Sequence, residues 1–216
     1  MDGRSTPRPG GCQRRARLGQ VIRLDLRGVF KGNTSGVSLN RENTMLIIFA
    51  GLPGVGKTAL AKAIARKLEA LYLRVDTIEQ ALRLSEVLPA DVGPAGYFVA
   101  YRLAEENLRL GRTVVADSVN PLNMTRDAWL SVAADAATAA IEIEVICSDQ
   151  SEHRRRVETR KADIDGLSLP SWEAVFGRTY ENWIRPHMVL DTAKKSIEEA
   201  NEELFNQLAR VIGQRN

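Results

Sequence analysis

The 216 residues suffice for one ordinary domain with an appendage. The formal charge of +3 is unevenly placed: residues 1–44 hold nine Lys/Arg and three Asp/Glu, so the rest is net acidic, which argues against a binder of long nucleic acids. Cys12 and Cys147 form neither a disulfide framework nor a metal-ligand spacing, and no apolar run reaches the ~18 residues that span a bilayer, so a cytoplasmic setting without membrane contact is expected.

Residues 1–44, rich in Arg, Gly, Pro and Ser, are expected to be a basic, disordered N-terminal extension. An Arg-rich targeting peptide and sequence upstream of a start at Met45 are the other readings. Residues 45–216 then form the working domain. Apolar strand-like runs alternate there with amphipathic helical stretches, as in a parallel sheet wrapped by helices. Residues 45–50 are a buried strand and 71–75 a second, ending in Asp76. Helices are predicted over 77–88 and from Tyr97 to a stop at Gly111. A third strand covers 113–116, with Asp117 at its end, and a helix starts at Pro121. The fourth strand, 141–146, alternates Ile with Glu as if one face were exposed. Asp149 and Glu152 open an arginine-rich helix, 162–170 is a polar loop, and 172–183 reads as helical. A short fifth strand at 188–190 precedes a last helix capped by Ser196 and Glu199.

The run Gly51-Leu52-Pro53-Gly54-Val55-Gly56-Lys57-Thr58 carries the chemistry. It fulfils the phosphate-loop pattern G-x-x-x-x-G-K-[ST], and it lies between a strand and a helix, as that motif requires. Glycines let successive N–H groups curl toward a phosphate. Lys57 brings charge to the β- and γ-phosphates, and the Thr58 hydroxyl is placed to ligate Mg²⁺. Gly51, Pro53, Gly54, Val55, Gly56, Lys57, Thr58 and Ala59 are therefore the expected contacts of ATP.

Two carboxylates stand at strand ends. Asp117 follows Thr113-Val114-Val115-Ala116, the Walker B pattern, and is expected to hold the Mg²⁺ shell. Ser118 follows it where nucleotide-driven motors usually place a Glu, which disfavours a dedicated ATPase. Asp76 can take the proton of an attacking hydroxyl; its alternative is a helix N-cap. Arg156 and Arg160 share a helix face and can neutralise a transferring phosphoryl group, although Glu152 and Glu158 offer Arg156 and Arg154 ordinary surface pairs. Tyr97, Phe98 and Tyr101 read as core by their helical spacing, with lining of the acceptor pocket as the lesser reading of Tyr97; Arg83 and Arg126 read as solvated or ion-paired rather than acceptor contacts, and His187 has no evident partner.

The order of Gly51–Thr58, Asp76, Asp117 and the Arg156/Arg160 helix resembles the P-loop kinases of small molecules, a group that includes adenylylsulfate, gluconate and shikimate kinases, chloramphenicol phosphotransferase and zeta-toxin-like kinases. The resemblance spans residues 45–216. It implies an α/β fold, a three-layer α/β/α P-loop NTPase with a five-stranded parallel sheet in the order 2-3-1-4-5 and a helical arginine lid. It further implies MgATP as donor, a small-molecule hydroxyl acceptor near Asp76, and adenine near Asp191 and Thr192. The expected activity is an ATP-dependent phosphotransferase. The alternatives are a nucleotide or nucleic-acid end kinase and an ATP-binding regulatory switch.

Overall fold

The computed structural model describes residues 44–86 and 92–213. The N-terminal extension apart from Thr44, and the end of the helix predicted over 77–88, lie outside the described residues. Five strands, β1 (Met45–Ala50), β2 (Leu71–Arg74), β3 (Val114–Asp117), β4 (Ala139–Ile146) and β5 (Met188–Asp191), form one sheet. Its order is β2-β3-β1-β4-β5, and every neighbouring pair is parallel. The connections carry α1 (Lys57–Lys67), α2 (Val75–Leu84), α3 (Ala95–Arg109), α4 (Asn123–Asp135), α5 (Gln150–Thr159) and α6 (Trp172–Phe176), and α7 (Ile197–Gly213) closes the chain.

The central strand shows why this sequence makes a three-layer fold. All six residues of β1 are buried, as a parallel strand covered on both faces requires. Met45, Ile47 and Phe49 pack with Leu60 and Ile64 of α1 and Leu204 and Leu208 of α7. Leu46 and Ile48 face the other way, toward Ala104 and Leu108 of α3 and Trp129 of α4. The period of two thus divides one strand between two cores.

The second face of β4 is different. Glu142 and Glu144 do point away from the α1/α7 core, but they are not left to solvent. Arg185 grips Glu142 through Nε at 2.7 Å and Nη2 at 2.8 Å, and it also pairs with Asp127. His187 meets Glu144 at 3.0 Å and stacks on Trp183 with ring centroids 3.9 Å apart. A coil over 177–187 therefore covers the face where a helix was expected. Helix α6 stops at Phe176 because the backbone beyond it is committed elsewhere: the Glu181 N–H donates to Pro121 at 2.8 Å, and its carbonyl accepts from Arg126 at 2.9 Å.

Arg126 is the centre of that attachment. It is neither solvated nor ion-paired: it is 0% exposed, and its guanidinium donates to the carbonyls of Asn120, Pro121 and Glu181 and to Asn123 Oδ1. Tyr180 and Trp183 present their rings to it at 4.9 and 4.2 Å. Tyr97 and Tyr101 are partly buried against the core, as their spacing suggests, whereas Phe98 falls on the outer face of α3 and is 64% exposed.

Candidate active site

The C-terminal ends of parallel strands form the edge at which such sheets bind ligands, and the order 2-3-1-4-5 opens a crevice beside β1. The phosphate loop leaves β1 there. Gly51 has φ 138°, and a Cβ on it would lie 2.3 Å from the Val145 carbonyl oxygen. Gly54, with φ 91°, would collide with Val157 at 2.5 Å. Only glycine fits either position.

Loops from three other strands hold this turn. After β3, Val119 O accepts from Gly51 N–H at 3.1 Å, and the Asn120 side chain donates to Phe49 O at 3.0 Å. After β4, His153 Nε2 lies 2.9 Å from Pro53 O, which fixes the proton on Nε2 because a carbonyl can only accept. After β5, the Thr192 hydroxyl lies 2.8 Å from Val55 O and 3.0 Å from Ile146 O. Thr192, expected as a nucleotide contact, is thus 3% exposed and braces the loop from beneath.

A cavity of 1410 Å³ extends from this loop, lined at one end by Pro53, Gly54, Gly56, Lys57, Thr58 and Ala59. Val55 is 2% exposed and faces the core. Lys57 is the first residue of α1, and its Nζ lies 3.4 Å from Asp117 Oδ1. Asp117 is buried at the end of β3; its Oδ2 accepts from Tyr72 Oη at 2.7 Å, while Oδ1 has no hydrogen-bond partner. Burial, followed by the Asp117 charge, pushes the Tyr72 phenol far above its ordinary range, so the proton stays on Tyr72. A buried carboxylate oxygen with no hydrogen bond, facing only the Lys57 ammonium beside a phosphate loop, suits a cation shell.

Asp76 occupies the first turn of α2, one residue later than a strand-end position, because β2 stops at Arg74. The N-cap is Arg74 and no side chain caps this helix, so Asp76 is not used as a cap. It lines the cavity 3.6 Å from Arg74 Nε. Glu79, one turn on, bonds Arg83 at 3.3 Å; burial and then the Asp76 charge raise its pKa.

The two arginines separate. Arg156 is committed to Glu152 at 2.6 Å and to the Thr192 hydroxyl and carbonyl, both at 2.9 Å. Arg160, at the C-cap of α5, keeps Nε and Nη2 buried with no hydrogen-bond partner. Burial lowers its pKa against the opposing influence of Asp76. Arg154 takes the surface pair with Glu158 at 2.8 Å.

Asp163 lies in the loop after α5. It closes that loop over the cavity through Lys62 at 2.7 Å and Arg74 at 2.8 Å. Burial works against its charge, but these two cations prevail and hold the carboxyl down at about 2. Gln80 assists by donating to Asp165 O at 3.2 Å. Neither residue lies in a motif or a periodic run, so nothing local marks them. Among the described residues, no group of His, Cys, Asp and Glu forms a metal cage, and no helix is long and apolar enough to cross a membrane.

A phosphate loop between the central strand and a helix of a 2-3-1-4-5 parallel sheet defines a P-loop NTPase, with the fold of the P-loop kinases of small molecules. The chain belongs to the AAA domain family, whose model matches residues 46–175. No curated protein matches the chain. Among solved structures, a gluconokinase from Sinorhizobium meliloti shares the fold with a TM-score of 0.54 and 19% identity, over 78% of this chain and 93% of that one. The Mycobacterium tuberculosis APS kinase CysC in complex with AMPPNP and APS gives 0.53 and 23%, over 76% and 97%. Kti12 from Chaetomium thermophilum in complex with ADP-AlF3 gives 0.56 and 24%, over 77% and 98%.

Proposed function

We propose that residues 45–216 form a kinase domain that moves the γ-phosphoryl group of MgATP to a hydroxyl of a small-molecule acceptor. One observation carries this reading: the cavity that holds the phosphate loop is also lined by Asp76, a carboxylate not used as a helix cap, and by Arg160, an arginine with bare donors. A nucleotide switch has no need of those two side chains.

The loop N–H groups and Lys57 hold the β- and γ-phosphates. Thr58 and Asp117 would hold Mg²⁺, which offsets phosphate charge when bound; the open Asp117 Oδ1 fits that task. Asp76 takes the proton from the acceptor hydroxyl, whose oxygen forms the new bond to γ-phosphorus as the bond to the bridging oxygen breaks and ADP leaves. Arg156 and Arg160 supply positive charge around the transferred group as it redistributes.

Asp76→Asn tests the assignment. No cap is lost, so stability holds, while the general-base role predicts a fall of roughly 10²–10⁴-fold in acceptor-dependent ADP release. ATP affinity stays as it was. Transfer at the wild-type rate in this variant would remove Asp76 from the reaction.

A further inference from the structure

Helix α2 gives the cavity more wall than a proton acceptor needs. Asp76, Gln80 and Leu84 follow one another at i, i+4 and i+8, a single row on the helix face, and all three line the cavity. From Asp76 to Leu84 the row runs about 12 Å. Leu84 is 66% exposed, so the row ends in an apolar side chain whose surface is mostly open. Arg83, beside it, is paired with Glu79 at 3.3 Å, so that charge is met within the helix.

The loop after α5 supplies a second apolar wall. Leu167 N–H donates to Ile164 O at 3.2 Å, and Gly166 takes φ 70°, so the chain makes a tight turn that calls for glycine. A Cβ on Gly166 would lie 3.0 Å from Gln80 Nε2, and that same nitrogen donates to Asp165 O at 3.2 Å. The turn therefore rests on the middle of the α2 row, and Leu167, Leu169 and Pro170, which follow it, line the cavity. Leu84 stands one helical turn from the same Gln80. Gln80 thus pins two apolar surfaces next to each other, one on the helix and one on the loop. A small polyol at Asp76 would leave both facing water, whereas an apolar group laid between them removes that surface from water. Resting on the phosphotransferase reading, we propose that the acceptor is amphiphilic: a hydroxyl compound whose apolar body, an aromatic ring or a branched alkyl group, lies between Leu84 and Leu167–Pro170 while its hydroxyl reaches Asp76 along the row. Asp76 takes the proton, and the apolar slot decides which molecule presents its hydroxyl there.

The test is calorimetric titration of the full chain saturated with Mg²⁺ and a non-hydrolysable ATP analogue, so that the phosphate loop is already filled. The probes are glycerol and 3-phenoxypropane-1,2-diol, which is glycerol with one hydroxyl carried as a phenyl ether. The phenyl ether is expected to bind at least about tenfold more tightly than glycerol. Leu84→Ser and Leu167→Ser should each weaken it at least about threefold. Leu110→Ser is the control: Leu110 is just as exposed, at 67%, but it caps the end of α3 and is not part of the cavity wall, so binding should not change. Circular dichroism checks each variant, and if one leucine variant fails to fold the other decides. Glycerol binding as tightly as its phenyl ether, full affinity in the slot variants, or an equal loss in Leu110→Ser would each overturn the proposal. ADP release is measured separately. Binding that depends on Leu84 and Leu167, with no hydroxyl compound ever promoting ADP release, would uphold the slot and overturn the kinase reading. ADP release promoted by small polar hydroxyl compounds, with no binding of the phenyl ether, would uphold the kinase reading and overturn the slot.

Discussion

Replacing Arg126 by leucine should destabilise the protein heavily although no acid is lost as a partner. The guanidinium has 0% exposure and serves three carbonyls and one side-chain amide. Leucine would strand these acceptors, and Asn120 itself is 0% exposed, so water cannot replace the donor at its carbonyl. Each stranded group costs about 1–3 kcal/mol. Losing the stacking on Tyr180 and Trp183 adds about 1–2 kcal/mol. Relief from burying a charge without a counter-charge returns several kcal/mol of this. The balance is a loss of about 3 kcal/mol, equivalent to a Tm lower by about 6–12 °C in a domain of this size. Urea and thermal unfolding followed by tryptophan fluorescence report it directly, since Trp129 and Trp183 flank the site. Arg126→Lys keeps the charge but cannot reach four acceptors, so it should fall within about 1 kcal/mol of the leucine variant. A leucine variant within about 1 kcal/mol of wild type would refute the reasoning, because burial of the charge would then cancel the bonds.

Lys57→Ala should abolish phosphoryl transfer and leave the fold intact, as judged by coupled ADP release and circular dichroism; near-wild-type turnover would contradict the phosphate-loop assignment. Asp163→Asn should free the loop after α5 and raise its amide exchange, at a stability cost below ~1 kcal/mol because the Asp163 side chain is 46% exposed. The Asp163 carboxyl is depressed in the folded state, to about 2. Its contribution is therefore complete above the unfolded value near ~3.9 and is lost as pH falls toward 2. The difference between wild type and variant in urea unfolding should stay constant from pH 7 to 5 and shrink below pH 4; a difference that grows with acid would contradict the pairing.

What the sequence reveals follows the range of the interaction concerned. The strand 45–50 and the phosphate loop are legible because their demands are local: unbroken apolar character, and glycine where a Cβ would strike Val145 or Val157. The Ser196/Glu199 capping pair follows equally from local signals, whereas the sheet order is an expectation of the resemblance alone. The helix expected over 172–183 fails after Phe176, because an arginine some fifty residues earlier claims the Glu181 carbonyl. His187 reads as partnerless because Glu144 and Trp183 meet it only after β4 and the coil are in place. Asp163 is found by two cations from α1 and β2, and no spacing rule joins three such distant segments. Asp76 needs a one-residue correction, since β2 stops at Arg74 rather than Val75 and Asp76 falls inside the first turn of α2.

The bracing of the phosphate loop by His153 and Thr192 makes the loop and α5 mechanically one piece. His153 bonds Pro53, and Arg156, one turn further along α5, bonds the same Thr192 that supports Val55; Arg160 lies one turn beyond that. A nucleotide that tightens the loop therefore also steadies the helix whose end carries Arg160. Rigidity acquired from the first ligand is rigidity the second need not supply, and the resulting synergy is reciprocal. Nucleotide and acceptor should each sharpen the other's affinity by the same factor, whichever arrives first.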